Sequence, residues 1–472
     1  MTTIDDLTTH PWFFCGIGGS GMLPLALILR GVGATVAGSD RSHDQGRSAD
    51  KFAWLESLGF ALHPQDGRGI TSPTQTLVAS AAVEDTVPEV VRATALGCSR
   101  MTRAELLATL FNAAPTGIAV AGTSGKSTVT GMLGWILTAT ERDPTIMNGA
   151  VMKNFVRPDA PFASARVGNG GTFVSEVDES DGSIALYRPA VAVLNNVSLD
   201  HKTIEELRVL FGDFLAASRA CAVNADDAEA AALAHRGSST LMFGLQSPDA
   251  AITVDSTTVV ARDDGISATV LDRRDGSRHA LSLGQPGRHN LANALAAIAG
   301  AFLAGVAVAD AVAALATFTG LARRFDVIGT TASGITVIDD FGHNPEKIAA
   351  TLATLSARAG RVIAFFQPHG FGPLRKMGAE LAEVLAHSLG PDDVTILCDP
   401  VYFGGTVDRS VGSAEVVAMI GRAGGHAEHI PSREACGDRI VSLARPGDRI
   451  VIMGARDDTL TAFARSILDR VN

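Results

Sequence analysis

The seven residues Gly122-Thr123-Ser124-Gly125-Lys126-Ser127-Thr128 constrain this chain more than any others. They follow the apolar run Gly117–Ala121, which reads as a buried strand, and they open a helical pattern at Lys126. A small-residue turn in that setting aims backbone N–H groups at phosphate oxygens, and the helix behind it adds the positive end of its dipole. Lys126 would reach the β and γ phosphates, and the Ser127 hydroxyl would ligate magnesium. The usual phosphate loop has glycine five residues before Gly125; here Val120 stands there, so the loop is a variant. The chain has only six lysines (51, 126, 153, 202, 347 and 376), which makes a chance lysine at this spot less expected. The competing reading is an ordinary strand–turn–helix junction rich in small residues.

Strand and helix patterns alternate along the rest of the chain, in three blocks. The first has apolar strands at Trp12–Gly18, Ala34–Ala37 and Leu77–Ser80, with a helix over Ser20–Arg30. The second continues with strands at Thr172–Val177 and Ala190–Asn196, and residues 245 to 282 alternate with the period of an antiparallel insert. The third repeats strand then helix, with strands at Ile335–Asp339, Arg361–Phe366, Val394–Cys398 and Arg449–Met453. Such alternation predicts an α/β fold with parallel sheets and right-handed crossovers. Domains are expected over 1–112, 113–320 and 321–472, in keeping with a length of 472 residues.

Composition removes whole classes of function. The net charge of −11 argues against a nucleic-acid sleeve or a basic membrane face. Five cysteines with no C-x-x-C pair argue against a disulfide framework or a zinc ribbon, and suit a reducing cytoplasm. The opening MTTIDDLTTH is acidic where a signal peptide is basic, and Ala294–Ala309 is too short and too rich in Ala and Gly for a membrane span. It reads as a closely packed buried helix.

Three further motifs carry chemistry. Glu176-Val177-Asp178-Glu179-Ser180-Asp181 follows a strand and supplies four carboxylates, at least one of which would meet magnesium beside the phosphate loop. Asp200-His201 lies beyond the next strand. The alternative for both is a solvated or structural turn. Gly16-Ile17-Gly18-Gly19-Ser20-Gly21 is a formal G-x-G-x-x-G after a strand, with Asp40 about 20 residues later. It suits a dinucleotide or any other diphosphate, a UDP-linked substrate included.

Taken together, GIGGSGM, AGTSGKST, EVDESD, NNVSLDH, GRHNLANAL, RRFD and DDFGHNP stand in the order shown by the Mur ligases, the ATP-dependent amide-forming enzymes of peptidoglycan synthesis. The chain resembles that family from about residue 12 to 470, and most of all the branch that joins L-alanine to UDP-N-acetylmuramate and its sister that attaches a recycled murein peptide. Other branches use a carbamylated lysine after the D-H motif; this chain has no lysine from 203 to 346. The resemblance implies a Rossmann-like N-terminal domain for the UDP substrate, a P-loop ATPase-type central domain, and a Rossmann-like C-terminal domain for the amino acid.

It also implies residue roles. Gly122, Thr123, Gly125, Lys126, Ser127 and Thr128 would hold ATP, with Ser127 and Glu176 on one magnesium ion and His201 at a second. His289, Asn290 and Asn293 would receive the adenine, Arg324 would reach the γ phosphate, and Asp340 would meet the ribose or help close the domains. Gly16, Gly18, Gly19, Ser20 and Gly21 would cradle the UDP diphosphate, with Asp40 near the uridine end, and Ser80 would also bind the UDP substrate. The amino acid would lie against His343 and His369. There the chain departs from the family: Gly370 follows Phe366-Gln367-Pro368-His369 where arginine is typical, and the nearest arginine, Arg375, is expected to take its place in binding the amino acid, failing which the acceptor is not L-alanine. The implied partners are small molecules, with no nucleic acid and no membrane insertion. Two other classes stay open at this point, a nicotinamide-dependent oxidoreductase built on Gly16–Gly21 and a relative that has lost catalysis.

Overall fold

The computed structural model describes residues 7–472 apart from 82, 199–201, 263, 358, 402–409, 456 and 458. The chain forms two compact units. The first runs through Val260 and adds 267–284 and 290–319; the second comprises 261–266, 285–289 and 320–472. Three sheets organise them.

The N-terminal sheet contains β1 (Trp12–Cys15), β2 (Val36–Ser39), β3 (Ala61–His63), β4 (Thr76–Ala79) and β5 (Ser99–Thr102), in the order β3-β2-β1-β4-β5. Every pairing is parallel. Strand order reverses between β1 and β4, and ligands of such sheets bind in the crevice beyond the strand ends at that reversal. All four β1 residues are buried, which is why an unbroken apolar run codes for it. The glycine-rich stretch begins as β1 ends, so the strand is shorter than the run Trp12–Gly18 suggested.

The central sheet contains β6 (Thr116–Ala121), β7 (Thr145–Met147), β8 (Ala165–Arg166), β9 (Thr172–Glu176), β10 (Val191–Leu194), β11 (Ala220–Asn224), β12 (Thr240–Phe243), β13 (Ile252–Arg262), β14 (Gly265–Asp272) and β15 (Ser277–Leu283). Their order is β15-β14-β13-β12-β11-β10-β6-β9-β7-β8. β6 lies at the middle, parallel to β9 on one side and β10 on the other. The links 263–264 and 273–276 are far too short for a crossover, so β13, β14 and β15 follow one another as hairpins, as the alternation in 245 to 282 predicts.

The alanine-rich run forms part of the helix Arg288–Leu303, whose residues from Leu291 to Ala301 are nearly all buried. Gly305 follows in a left-handed conformation (φ +87°) and separates it from the helix Val308–Leu315. Small residues are required here: a Cβ on Gly300 would come within 2.9 Å of Val193 on β10. Among the described residues no helix is long and apolar enough to cross a membrane.

One core joins the first two sheets. Phe111, on the helix Arg103–Ala113, stacks edge-on against Phe173 of β9 and Tyr187, at centroid distances of 5.7 and 5.1 Å. Burying each such ring contributes roughly 1.5–3 kcal/mol. That helix starts at a full capping box between Thr102 and Glu105.

The third sheet contains β16 (Asp326–Thr330), β17 (Thr336–Asp340), β18 (Val362–Gln367), β19 (Val394–Leu397), β20 (Ala427–His429) and β21 (Arg449–Gly454), in the order β16-β17-β21-β18-β19-β20. It is parallel except for the edge strand β16, which pairs antiparallel with β17.

Candidate active site

The glycine-rich loop leaves the C-terminal end of β6 and runs into the helix Lys126–Ala139. Gly125 caps that helix at φ +83°, with no side-chain cap and no acidic residue in the first turn. The first amides of a helix have no intrahelical partner, so an anion is the natural complement. A Cβ on Gly125 would lie 2.6 Å from both Asn195 Nδ2 and Asn293 Oδ1, so glycine is demanded by backbone and space alike.

Asparagines hold this loop from below. Ser124 N donates to Asn196 Oδ1 (2.8 Å), and both Asn195 Nδ2 and Asn196 Nδ2 donate to Ser124 O (3.1 Å each). Asn195 Nδ2 also reaches Asn293 Oδ1 (3.1 Å), and the buried Asn148 donates to Ser127 O (2.9 Å). Thr123 Oγ1 exchanges hydrogen bonds with the backbone of Ser198. Asn293, expected at the adenine, is thus packed beneath the phosphate loop with Asn290 as its neighbour (3.3 Å). His289 falls in the second unit while Asn290 and Asn293 fall in the first.

Two contacts define the charged centre. Lys126 Nζ donates to Glu179 Oε2 at 2.7 Å, and Ser127 Oγ donates to Glu176 Oε2 at 2.7 Å. Burial works against the charge on Lys126, yet Glu179, Asp178 and Glu176 around it hold its pKa above the usual lysine value. Burial also works against the carboxylate of Asp178, but Lys126 and the Ser180 amide keep its pKa low. The sequence offered four carboxylates near the loop, and the family resemblance put Glu176 beside Ser127; in the structure Glu176 meets the serine and Glu179 the lysine. Glu179 was a candidate with no role given to it, and Asn148, Asn195 and Asn196 were missed. The doubled asparagine in NNVSLDH was the available signal, since strand-end amides can bridge loop backbone on both faces.

Ser127 Oγ and the Glu176 carboxylate form a hard-oxygen pair suited to magnesium, which commonly takes one or two protein oxygens and completes its shell with water and phosphate. Among the described residues no group of three His, Cys, Asp or Glu gathers as a metal site. His201, expected at a second ion, lies outside the described residues.

At the N-terminal sheet, Gly16 sits at φ +78° just after β1. Asp40 does not project toward open space: Oδ2 accepts from Gly18 N (2.9 Å) and Oδ1 from Ser42 N (2.8 Å), so it braces the glycine loop. The Gly19 amide donates to Gly16 O (3.1 Å). The amides of Gly18 and Gly19, expected to cradle a diphosphate, are therefore engaged within the loop. Ser80 follows β4 and is half-buried. Arg103 lies against Gly21 and pairs with Asp181 at 3.7 Å, linking this loop to the acidic motif.

In the second unit, the turn Arg323–Phe325 is strained, with φ +59° at Arg323 and +49° at Phe325. Arg323 points inward, to Asp339 (3.3 Å), Gly454 O (2.7 Å) and Asp457 O (3.0 Å). Arg324 stays half-buried and stacks 4.4 Å from the Phe341 ring centroid. Asp340 accepts from Phe325 N (2.7 Å), Gly342 N (2.8 Å) and Thr351 Oγ1 (3.0 Å), so it holds the turn together and is buried in doing so.

A small recess lies nearby, lined by His343, His369, Phe366, Leu374 and Met377 among others. The two imidazoles meet edge-on at 5.3 Å. Burial pushes His343 down to about 3, with Lys347 adding to the effect, and its Nδ1 hydrogen-bonds Phe341 O at 2.9 Å. The structure brings His343 and His369 together but not Arg375, which is exposed and absent from the lining. On the helix Phe371–His387, Leu374, Met377, Gly378 and Leu381 share the inward face, and Arg375 lies about a quarter-turn away from Leu374.

Comparisons with known proteins match this architecture end to end. The model for the Mur ligase family catalytic domain matches residues 13–114, that for the Mur ligase middle domain 120–301, and that for the Mur ligase glutamate ligase domain 323–456. The UDP-N-acetylmuramate–L-alanine ligase of Pelotomaculum thermopropionicum is 34% identical, over 94% of this chain and 94% of its own. That of Streptomyces coelicolor is 33% identical over 97% of each. Among solved structures, the UDP-N-acetylmuramate–alanine ligase of Thermotoga maritima superposes with a TM-score of 0.79 at 24% identity, covering 98% of this chain and 99% of its own. The murein peptide ligase of Psychrobacter arcticus gives 0.72 at 25% identity, covering 98% of each.

Proposed function

The chain belongs to the Mur ligase family, and on that premise we propose that it joins L-alanine to the carboxylate of UDP-N-acetylmuramate at the expense of ATP, in the cytoplasm. The observation that carries the reading is the pair of contacts at the helix start, Lys126 with Glu179 and Ser127 with Glu176, beneath a glycine-capped loop.

The chemistry needs that arrangement. A free carboxylate is a poor acyl donor because oxide is a bad leaving group. Transfer of the γ-phosphoryl group to it gives an acyl phosphate, from which phosphate leaves readily once a neutral amine has attacked. The transfer concentrates negative charge, and Lys126 answers it with a fixed positive one inside a partly water-excluded cradle. Ser127 and Glu176 would hold magnesium, which when bound neutralises further phosphate charge. The asparagines under the loop keep its backbone from rearranging as charge moves. Arg324 is assigned to the phosphoryl transfer, and Asp340 to positioning it through the Phe325 amide. Burial keeps His343 neutral at physiological pH, so its imidazole brings no positive charge to the pocket where the amino acid is proposed to lie.

The nicotinamide alternative has no support in the family matches, which cover all three blocks as ligase domains. The test is phosphate release with ATP, magnesium and UDP-N-acetylmuramate against single amino acids and the recycled peptide. Release should require all components and be fastest with L-alanine. Release with the peptide alone would move the protein to the sister branch, and release indifferent to any amine would refute the ligase reading.

A further inference from the structure

A diphosphate carries a negative charge on each phosphate, and the glycine loop after β1 offers it few donors. The amides of Gly16 and Ile17 donate to Ser39 O (2.8 and 3.0 Å), that of Gly18 to Asp40, and that of Gly19 to Gly16 O. Met22 and Leu23 turn back to Gly19 O (3.0 and 2.8 Å). Among the described residues, only Ser20 and Gly21 in this stretch have amides with no such bond. The Asp40 carboxylate, from the end of β2, also abuts the loop and adds negative charge beside the place where an anion must sit.

A cation stands at the same glycine. Lys51 Nζ lies 3.3 Å from Gly18 O, from the first turn of the helix Ala49–Ser57. Its position is held on both sides. Phe52 packs against Gly18, where a Cβ would meet the ring at 2.8 Å. Trp54 Nε1 donates to Asp159 O (2.9 Å), its ring stacks on Phe162 (5.4 Å), and the ammonium lies 5.8 Å from the centre of the Phe162 ring. Lys51 is half-buried, so it is ordered and still reachable from solvent.

We propose that Lys51 is the residue that neutralises the diphosphate of the UDP substrate, working with the Ser20 and Gly21 amides and the helix behind them. This rests on the UDP site of the proposed function. With Gly18 gripped by Asp40 at its amide and by Lys51 at its carbonyl, the loop is preformed, and an arriving phosphate meets an ammonium already in place.

The experiment is equilibrium binding of UDP and of uridine to the full chain, for the wild type, K51M and K51R, alongside steady-state kinetics. K51M should weaken UDP by about tenfold or more and leave uridine within about twofold, since a charge-assisted hydrogen bond is lost and no base contact is touched. The KM for the UDP substrate should rise while kcat and the KM for ATP hold, and K51R should recover most of the loss. Wild-type UDP affinity should fall more steeply with salt than that of K51M. Equal UDP affinity in wild type and K51M overturns the role of Lys51 and leaves the UDP site standing. A parallel loss of uridine in K51M shows a collapsed loop and overturns it as well. A wild type that binds no UDP removes the site itself, and the inference with it.

Discussion

Lys126→Met separates the structural and chemical roles of the phosphate-loop lysine. In the folded chain its ammonium sits 2.7 Å from Glu179 Oε2, with side-chain exposures of 19% and 6%. Removing one partner of a buried pair leaves the other charge desolvated and costs about 3–5 kcal/mol. Asp178 and Glu176 also feel Lys126, so the variant gathers carboxylates that keep only the more distant Arg103 beside them. Their mutual repulsion is then uncompensated, protonation relieves it, and the folded state takes up protons more readily than the unfolded one. K126M should therefore be most destabilised at neutral pH and recover as pH falls into the carboxylate range. Adding Glu179→Gln should return much of the stability, because the buried charge goes with it. Activity should behave oppositely: losing one preorganised charge at the phosphoryl group costs about 10²–10³ in kcat, and the second substitution restores none of it. Urea denaturation at several pH values and phosphate release measure the two separately. If K126M is as stable as the wild type at pH 7, or the double variant regains turnover, the assignment fails.

The remaining predictions are simpler. Glu176→Gln should raise the magnesium concentration needed for half-maximal phosphate release by about tenfold with the fold intact, because a neutral amide is a weaker ligand than a carboxylate; an unchanged magnesium curve counts against the pair with Ser127. Arg324→Ala should lose turnover with little change in melting temperature, whereas Arg323→Ala should unfold more easily by about 3–5 kcal/mol, since it abandons the fully buried Asp339; the reverse pattern would exchange the two roles. His343 has a folded pKa of about 3 against 6.5 in the unfolded chain, so the unfolded state binds the extra proton between those values. Its contribution is complete above pH 6.5 and is lost as pH falls toward 3, and His343→Asn should flatten that part of a stability–pH curve.

Much of the site was legible before any coordinate. Lys126 and Ser127 follow from a loop and a helix start whose spacing is local, and Glu176 was marked by its acidic strand end and by the order of the family motifs. What escaped was whatever depends on partners distant in sequence. Asn195 and Asn196 are adjacent in the chain to nothing in the phosphate loop, yet pairing of β10 with β6 brings them under it. The same holds for Lys51, on a helix outside the glycine motif it adjoins. Arg323 and Arg324 are chemically alike and consecutive, so no pattern could say which one turns inward; two left-handed residues and the Asp339 partner decide it.

The sequence by itself determined the alternation of strand and helix, the positions of both glycine-rich loops, and the family to which their order belongs. Those are matters of periodicity and local backbone freedom, which neighbouring residues express on their own. Tertiary structure alone decided which carboxylate faces Lys126, which glycine amides are already engaged, and that Arg375 turns away from the pocket. Each of these is a competition for a partner brought close by sheet pairing or helix rotation, and only the folded geometry ranks the competitors.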